Sequence, residues 1–135
     1  MLPIKAIMTT DVIVVNPETP IVDAMRLLMK YKISGMPVVD DEMRIKGILT
    51  EKDVLELLMR RDVQFHETVA DYMTRKVITF SEDDGAIAVC KFFMKSHIRR
   101  VPVVKDGKLI GIISRRDIIA LILEAKTTIS DHRFD

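Results

Sequence analysis

Hydrophobic and polar residues follow one pattern twice along this chain. The runs VIVV (12–15) and VITF (77–80) are rich in β-branched residues and predict short strands. Each run is followed by a helix-start signal, NPETP or SEDD, with proline or acidic residues where the first turn begins. Apolar residues at helical spacing then predict helices over about 21–31 and 84–96.

Each predicted helix is followed by two strands that flank a tight turn. The stretch MPVVDDEMRIKGILT spans 36–50, and VPVVKDGKLIGIIS spans 101–114 and contains the strong turn signal Asp-Gly. A closing helix comes next, EKDVLELLMR in the first half and RRDIIALILEA in the second. The order β-α-β-β-α therefore occurs twice, which predicts a mixed α/β (α+β) fold.

An internal repeat explains why the pattern occurs twice. Most identities lie 65 residues apart, and after the predicted turn the offset becomes 64, which pairs GILTEKD (47–53) with GIISRRD (111–117). Such repetition implies that each half exposes an apolar face that the other half buries. The predicted organisation is a first repeat (1–61), a linker (62–72) with the helix-like segment ETVADYM, a second repeat (73–125) and a polar C-terminal tail (126–135).

Composition argues against disorder and against a broadly charged surface. The 135 residues are 48% hydrophobic and 30% charged, and 21 basic residues against 20 acidic ones give a formal net charge of +1. This balance provides no field that would attract nucleic acid or an anionic membrane. The N-terminus lacks the features of a signal peptide, and no apolar stretch approaches the roughly 18 residues of a membrane span. We therefore expect a cytoplasmic protein with no membrane partner.

The closing helices predict self-association. DVLELLM (53–59) and DIIALIL (117–123) are apolar around most of their circumference, whereas a helix on one sheet face keeps an outward polar stripe. Packing against a second copy of the chain would bury this surface, so we expect a homodimer.

The repeated S/T-x-x-D motif has two interpretations. Thr50 with Asp53, and Ser114 with Asp117, have the spacing of a capping box, which stabilises a helix start by about 1 kcal/mol. A capping box usually ends in Glu or Gln, and the shorter Asp is expected to reach the cap less well, which leaves its carboxylate for an external diol. A helix N-terminus is also suited to anions. The residues alone leave both interpretations open.

Catalytic and metal-binding chemistry is poorly supported. The three histidines (His66, His97 and His132) are scattered, none has a partner at metal-ligand spacing, and neither phosphate-loop motif occurs. We expect no enzyme activity, no metal and no required cofactor. Two other functions stay open: a nucleic-acid-binding accessory protein, because KSHIRR and SRRD are locally basic, and a dimerisation scaffold with empty clefts. The acidic residues elsewhere make nucleic acid the less favoured partner.

The order of motifs in each copy is typical of a known family. In both copies, M-T precedes a strand, and an apolar helix, h-P-V-V, a turn, G-h-h-[ST]-x-x-D and a closing helix follow. This order, over roughly 3–125, resembles a tandem pair of CBS domains, often called a Bateman module. The resemblance implies a pseudo-twofold module whose clefts bind an adenosine-containing ligand such as AMP, ADP, ATP or S-adenosylmethionine. It also implies that the aspartate contacts the ribose hydroxyls and that the hydroxyl residue lies near ribose and phosphate.

The resemblance further implies which residues surround each ligand. Each cleft is expected to combine the S/T-x-x-D motif of one copy with the strand entrance, and the residues before P-V-V, of the other. The predicted first cleft contains Thr50, Asp53, Thr74, Val77, Ile98, Arg99 and Arg100. The predicted second cleft contains Ser114, Asp117, Thr9, Thr10, Val12, Ile33, Ser34 and Gly35.

The two predicted clefts differ in charge. Arg99 and Arg100 carry guanidinium groups suited to phosphate oxygens, whereas Ser34 and Gly35 at the matching positions carry none. We therefore expect the first cleft to prefer ligands with phosphate. The expected function is a regulatory module that senses the adenosine ligand and signals to a separate effector protein, whose identity the sequence does not give.

Overall fold

The computed structural model describes residues 2–60 and 66–133, and for residues 127–133 it describes the backbone alone. Met1 and the last two residues of the predicted tail lie outside the described residues. So does the segment 61–65, which contains the end of the first predicted repeat and the start of the predicted linker.

The predicted mixed α+β fold is confirmed, and both halves contain the predicted helices and hairpins. In chain order the helices and strands are α1 (Ile21–Tyr31), β1 (Gly35–Val39), β2 (Ile45–Thr50), α2 (Glu51–Met59), β3 (Phe80–Ser81), α3 (Ala86–Lys95), β4 (Arg100–Lys105), β5 (Lys108–Ser114) and α4 (Arg115–Arg133). Short 3-10 helices lie at Ile4–Ala6 and Val69–Asp71. No helix among the described residues is long and apolar enough to cross a membrane.

The chain divides into two compact units that exchange their first segments. The first unit contains Val12–Ile78 with Asp106–Leu109, and the second contains Met1–Asp11, Thr79–Lys105 and Ile110–Asp135. Residues 2–11, at the start of the chain, therefore belong with the second repeat. Likewise, residues 66–78, which come before most of the second repeat, belong with the first. These two stretches are the exchanged segments.

Each unit has its own apolar core, and the exchanged segment contributes to it. The core of the first unit is formed by Val15, Ile21, Ala24, Leu28, Met36, Val38, Leu49, Val69, Tyr72 and Met73. The core of the second unit is formed by Ile4, Ala86, Val89, Phe93, Val101, Val103, Ile113 and Ile118. Ile4 and Val69, both fully buried, come from the exchanged segments. Burying such a side chain contributes about 2 kcal/mol, so neither segment is a loose tether.

The two hairpins carry most of the sheet structure. β1 and β2 pair antiparallel, from Gly35 opposite Thr50 to Val39 opposite Ile45. β4 and β5 are joined through Asp106 and Gly107, whose φ angles of 52° and 79° are those of a type I′ turn. The Asp-Gly turn prediction is confirmed.

The predicted strands at 12–15 and 77–80 are much shorter in the structure. In the first run only Val15 pairs, as an isolated parallel bridge with Val38. In the second run only its last residue pairs, in the two-residue strand β3, where Phe80 lies opposite Val103 of β4. A β-branched composition favours extended backbone, but ladder bonds also need a neighbouring strand in register, and only the last residue of each run has one.

The last helix continues further than the sequence predicts. The apolar pattern predicts an end near residue 125, whereas α4 runs to Arg133 through the segment that was expected to be a polar tail. Residues 126–133 contain no glycine or proline, so the helical backbone can continue without the apolar pattern that marks its first part.

Candidate functional site

The first S/T-x-x-D motif forms the start of α2. The Thr50 hydroxyl accepts the backbone N–H of Asp53 at 3.2 Å, and Asp53 Oδ2 accepts the backbone N–H of Thr50 at 3.0 Å. These reciprocal bonds form a capping box, in which two otherwise unpaired N–H groups of the helix start are satisfied. The carboxylate of Asp53 is thereby fixed at the positive end of the helix, half-buried but open to solvent.

The second motif repeats this arrangement at the start of α4. The Ser114 hydroxyl accepts the N–H of Asp117 at 3.1 Å, and Asp117 Oδ2 accepts the N–H of Ser114 at 2.8 Å. The Ser114 hydroxyl also lies 2.9 Å from the same Oδ2. Both hydrogen bonds that the Asp117 carboxylate accepts from Ser114 therefore go to the same oxygen, Oδ2.

The expectation that aspartate reaches the cap poorly is wrong. Asp53 and Asp117 both make the reciprocal bond at ordinary length, and two further S/T-x-x-D sequences do the same. Asp71 accepts the N–H of Thr68 at 2.8 Å, and Asp84 accepts the N–H of Ser81 at 2.9 Å. The cap alone therefore does not mark a ligand site. What distinguishes the two predicted motifs must lie in the side chains around them.

One such neighbour comes from the exchanged segment of the first unit. Thr74 and Ile48 exchange both backbone hydrogen bonds, each at 2.8 Å, so Thr74 is fixed against β2. The Thr74 hydroxyl then lies 3.1 Å from Oδ1 and 3.4 Å from Oδ2 of Asp53. The structure thus brings together Thr50, Asp53 and Thr74, three residues that the sequence grouped in one cleft.

The second unit has the same backbone contact but a different side-chain contact. Thr9 and Ile112 exchange both backbone hydrogen bonds, each at 2.8 Å, which places Thr9 against β5. Among the described residues, however, no hydrogen bond joins the Thr9 hydroxyl to Asp117, and Oδ1 of Asp117 accepts none. Asp117 therefore keeps one carboxylate oxygen available.

The glycine of each motif permits the close approach of the exchanged segment, which crosses the strand at Thr74 in the first unit and at Thr9 in the second. A Cβ at Gly47 would lie 2.7 Å from the Thr74 carbonyl oxygen, and a Cβ at Gly111 would lie 2.8 Å from that of Thr9. Both distances are well below van der Waals contact. The glycine in G-h-h-[ST]-x-x-D is thus explained by the backbone of the exchanged segment.

The residues before P-V-V lie beside the motif of their own repeat. The Ser34 carbonyl accepts the N–H of Glu51 at 2.9 Å, and the Arg99 carbonyl accepts the N–H of Arg115 at 3.0 Å. The predicted clefts group Ser34 with Asp117 and Arg99 with Asp53. The contacts that the structure shows are the opposite: Ser34 adjoins the motif that contains Asp53, and Arg99 adjoins the motif that contains Asp117.

A sequence signal for this grouping existed. In a hairpin, the start of the first strand lies opposite the end of the second, as Gly35 lies opposite Thr50. The residues that precede P-V-V must therefore meet the S/T-x-x-D motif of the same copy. Arg100 begins β4 and Ser114 ends β5, and the two strands are neighbours in one sheet.

Arg115 is a functional candidate that belongs to neither predicted cleft. Its guanidinium Nη2 donates to the Phe93 carbonyl at 3.0 Å and to the Ser96 carbonyl, and its Nε is buried without a partner among the described residues. These carbonyls lie at the end of α3 and just before Arg99. Arg115 therefore holds the segment that carries the two arginines. Glu51, at the equivalent position of the first motif, is an acidic residue and cannot do so.

The remaining predicted cleft residues take no part in these hydrogen bonds. Thr10 is exposed, Val12 and Val77 are half-buried, and Ile33 packs against the core of the first unit. Ile98 is 38% exposed, and its N–H donates to the Ser96 hydroxyl at 3.0 Å. Among the described residues, no group of three or more His, Cys, Asp or Glu side chains could hold a metal ion.

Large apolar side chains are exposed on both closing helices. On α2, Leu55, Leu58 and Met59 are 67%, 86% and 82% exposed. On α4, Ile119 and Leu123 are 61% and 65% exposed. The sequence prediction that these helices have an outward apolar face is confirmed for the single chain.

Comparison with known proteins finds one family. The family model of the CBS domain matches residues 4–60 and again residues 69–124. An uncharacterized protein of Methanocaldococcus jannaschii is 32% identical over 120 residues, which is 89% of this chain and 42% of that protein. The chain thus spans about two fifths of the length of this relative.

Solved structures resemble the fold over nearly the whole chain. CBSX2 of Arabidopsis thaliana in complex with AMP has a TM-score of 0.83 at 30% identity, over 93% of this chain and 99% of that one. The CBS domain pair of protein MJ0100, in complex with 5′-methylthioadenosine and S-adenosyl-L-methionine, has a TM-score of 0.75 at 31% identity. This second likeness covers 93% of this chain and 98% of the other.

Proposed function

Because the chain belongs to the CBS domain family, we propose that it is a regulatory module that binds an adenosine-containing ligand at its S/T-x-x-D motifs. CBS-pair proteins are generally regulatory, and two structurally similar ones were solved with AMP or with S-adenosyl-L-methionine. The ligand class proposed for this chain is therefore AMP, ADP, ATP or S-adenosylmethionine. Binding would be signalled to a separate effector protein.

The observation that carries the proposal is Oδ1 of Asp117, a carboxylate oxygen that accepts no hydrogen bond from the residues that the structure describes. A carboxylate that is fixed at a helix start, with one oxygen committed to the cap, can accept a ribose hydroxyl on the other oxygen. Thr9 pairs with Ile112 of β5, which is two residues before Ser114. This pairing would bring the strand entrance of the first repeat to the same ligand. Cap geometry alone would not support this proposal, since Thr68 and Asp71 share it.

The arginines support a phosphate group on the ligand at this motif. Arg99 and Arg100 are both exposed, and Arg99 adjoins Arg115 at the start of α4. We therefore assign them to the same ligand as Asp117, in place of the grouping with Asp53 that the sequence suggested. A guanidinium group can form two parallel bonds with phosphate oxygens. AMP is accordingly the first ligand to test.

We also propose that the exposed apolar faces of α2 and α4 are buried in a homodimer. Leu58 and Met59 are each more than 80% exposed, and they follow the exposed Leu55 by three and four residues, so the three side chains lie on one apolar face of α2. A symmetric dimer buries the same face on both copies. Analytical ultracentrifugation at micromolar concentration should give a species of twice 15.4 kDa, and a stable monomer would contradict this part of the proposal.

Calorimetric titration of the full chain with AMP and with S-adenosylmethionine tests ligand binding. Asp117→Ala should weaken binding by about 10- to 150-fold, since a hydrogen bond to a charged acceptor is worth about 1.5–3 kcal/mol. Asp71→Ala is the matched control, because Asp71 has the same cap and lies outside the proposed site. It should lower the free energy of unfolding by about 1 kcal/mol and leave the titration unchanged.

Two results would contradict the proposed function. The wild-type chain could bind neither ligand, or Asp117→Ala could bind as the wild type does. In the second case the motif would only cap a helix, and the dimer would remain as a scaffold.

A further inference from the structure

Asp53 and Asp117 are equivalent residues that differ in the hydrogen bonds accepted by one carboxylate oxygen. In each motif, Oδ2 accepts the backbone N–H of the cap residue, at 3.0 Å and 2.8 Å. At Asp53 the other oxygen, Oδ1, accepts the Thr74 hydroxyl at 3.1 Å. At Asp117 the corresponding oxygen accepts no hydrogen bond from any described residue. The oxygen that a ribose hydroxyl would use thus already accepts a hydrogen bond in one motif, whereas in the other it accepts none from the described residues.

The Thr74 hydroxyl is the same kind of group as the ribose hydroxyl with which it would compete. It is an aliphatic alcohol that donates to a carboxylate, as a ribose hydroxyl would, and it lies within 3.4 Å of both oxygens of Asp53. Its backbone is fixed by the two bonds with Ile48, so the hydroxyl cannot move away except by rotation of the side chain. A ligand hydroxyl at Asp53 must therefore either displace the Thr74 hydroxyl or share the carboxylate with it, and both are less favourable than binding to an oxygen that accepts no other bond.

We infer that Thr74 is a built-in competitor for the ribose position at Asp53, and that a ligand fills the Asp117 site first. This inference rests on the proposed function, because it concerns the affinity of the same two motifs. It makes Thr74 a residue that sets the difference between sites whose backbone is otherwise alike. Ligand concentration would then be sensed in two ranges, a lower one at Asp117 and a higher one at Asp53.

The neighbouring charges act in the same direction. Arg99 adjoins the Asp117 motif, whereas Ser34, at the same position in the first repeat, adjoins the Asp53 motif and carries no charge. The motif with the more open carboxylate is therefore also the motif that the backbone of Arg99 adjoins. Neither feature depends on the other, since one is a hydroxyl contact and the other a difference in sequence.

The test isolates each site and then removes the hydroxyl. AMP, or S-adenosylmethionine if AMP does not bind, is titrated into Asp117→Ala and into Asp117→Ala with Thr74→Val. Valine keeps the branched shape of threonine and lacks the hydroxyl. Removal of the competitor should tighten binding at Asp53 by about three- to tenfold, a partial gain because Thr74 is exposed to water.

The first repeat supplies the matched control. Thr9→Val in the Asp53→Ala background removes the equivalent hydroxyl from the Asp117 site, where it makes no bond with the aspartate. This change should not tighten binding. A gain at Thr74 without a gain at Thr9 would support the inference. Equal gains in the two backgrounds would overturn it.

Other outcomes also decide the question. Unchanged or weaker binding after Thr74→Val would show that the hydroxyl is neutral or contacts the ligand, and would overturn the inference. So would the absence of binding in both Asp117→Ala proteins. If Thr74→Val does not fold, the two single aspartate variants suffice: Asp53→Ala must retain the tighter site, and the reverse order overturns the inference. Failure of the proposed function is distinct, since the wild type then binds neither ligand.

Discussion

Asp53 and Asp117 lie at the third position of α2 and α4, and the backbone around them is nearly the same. In both motifs the cap bonds are formed, a glycine lies under the crossing segment, and a threonine of that segment exchanges two backbone bonds with the strand. The side chains nearby differ: Thr74 contacts Asp53, and Arg99 adjoins the Asp117 motif. The repeat therefore keeps the backbone frame of the site and varies the groups that would determine affinity.

The shared backbone frame can be tested by adding a side chain where the exchanged segment crosses each glycine. This change is expected to have the largest effect on stability. Gly47→Ala and Gly111→Ala should each lower the free energy of unfolding by about 3 kcal/mol, because each Cβ would lie within 2.8 Å of a carbonyl oxygen. Gly107→Ala is the control, since a Cβ there meets nothing and only the positive φ costs about 1 kcal/mol. Urea denaturation measures all three. A loss at only one of Gly47 and Gly111 would show that the two crossings are not equivalent.

The charge difference can be removed by giving the second repeat the residues of the first. Arg99→Ser with Arg100→Gly should weaken AMP binding at the Asp117 site by about 2 kcal/mol, or roughly thirtyfold, through lost charge-assisted bonds. Adenosine, which has no phosphate, should bind nearly as before. Calorimetry with both ligands in the Asp53→Ala background measures the Asp117 site, and the same titrations in the Asp117→Ala background measure the Asp53 site. A loss confined to the Asp53 site would instead support the grouping that the sequence suggested.

A smaller effect is expected from Arg115 and its counterpart Glu51. Arg115→Ala removes the bonds to the Phe93 and Ser96 carbonyls and should lower the free energy of unfolding by about 1.5 kcal/mol. The exposed Glu51 replaced by alanine should change it by less than about 0.5 kcal/mol. Thermal and urea unfolding of both variants provide the comparison. Equal losses would mean that the guanidinium does not hold the segment before Arg99.

Local patterns predicted the hairpins and the helices well. The strands β1, β2, β4 and β5 follow from β-branched runs on either side of a turn, because hairpin partners are close in sequence. The runs at 12–15 and 77–80 have the same composition, yet nearly all of their residues lack a ladder partner. Composition reports a preference for extended backbone, whereas pairing depends on a neighbour that the run itself does not specify.

The site was predicted in the same uneven way. The pairing of Thr74 with Thr50 and Asp53 followed from the resemblance, and the structure brings these residues together. The contact between the Thr74 hydroxyl and Asp53 could not be predicted, because Thr9 has the same residue type and backbone position without it. The place of Arg99 could have been predicted from the hairpin, in which the start of one strand faces the end of the other.

The exchange of first segments also bears on how the chain folds. The N–H of Ile4 donates to the carbonyl of Asp84 at 2.9 Å, about 80 residues later in the sequence, and the fully buried Ile4 is part of the core there. Contacts this distant must close a long loop before they contribute, so they slow folding more than they add to stability. During synthesis the first segment must wait, unpaired, until most of the second repeat has been made. An apolar segment with no partner at that stage is where aggregation would begin, and where a chaperone would be expected to bind.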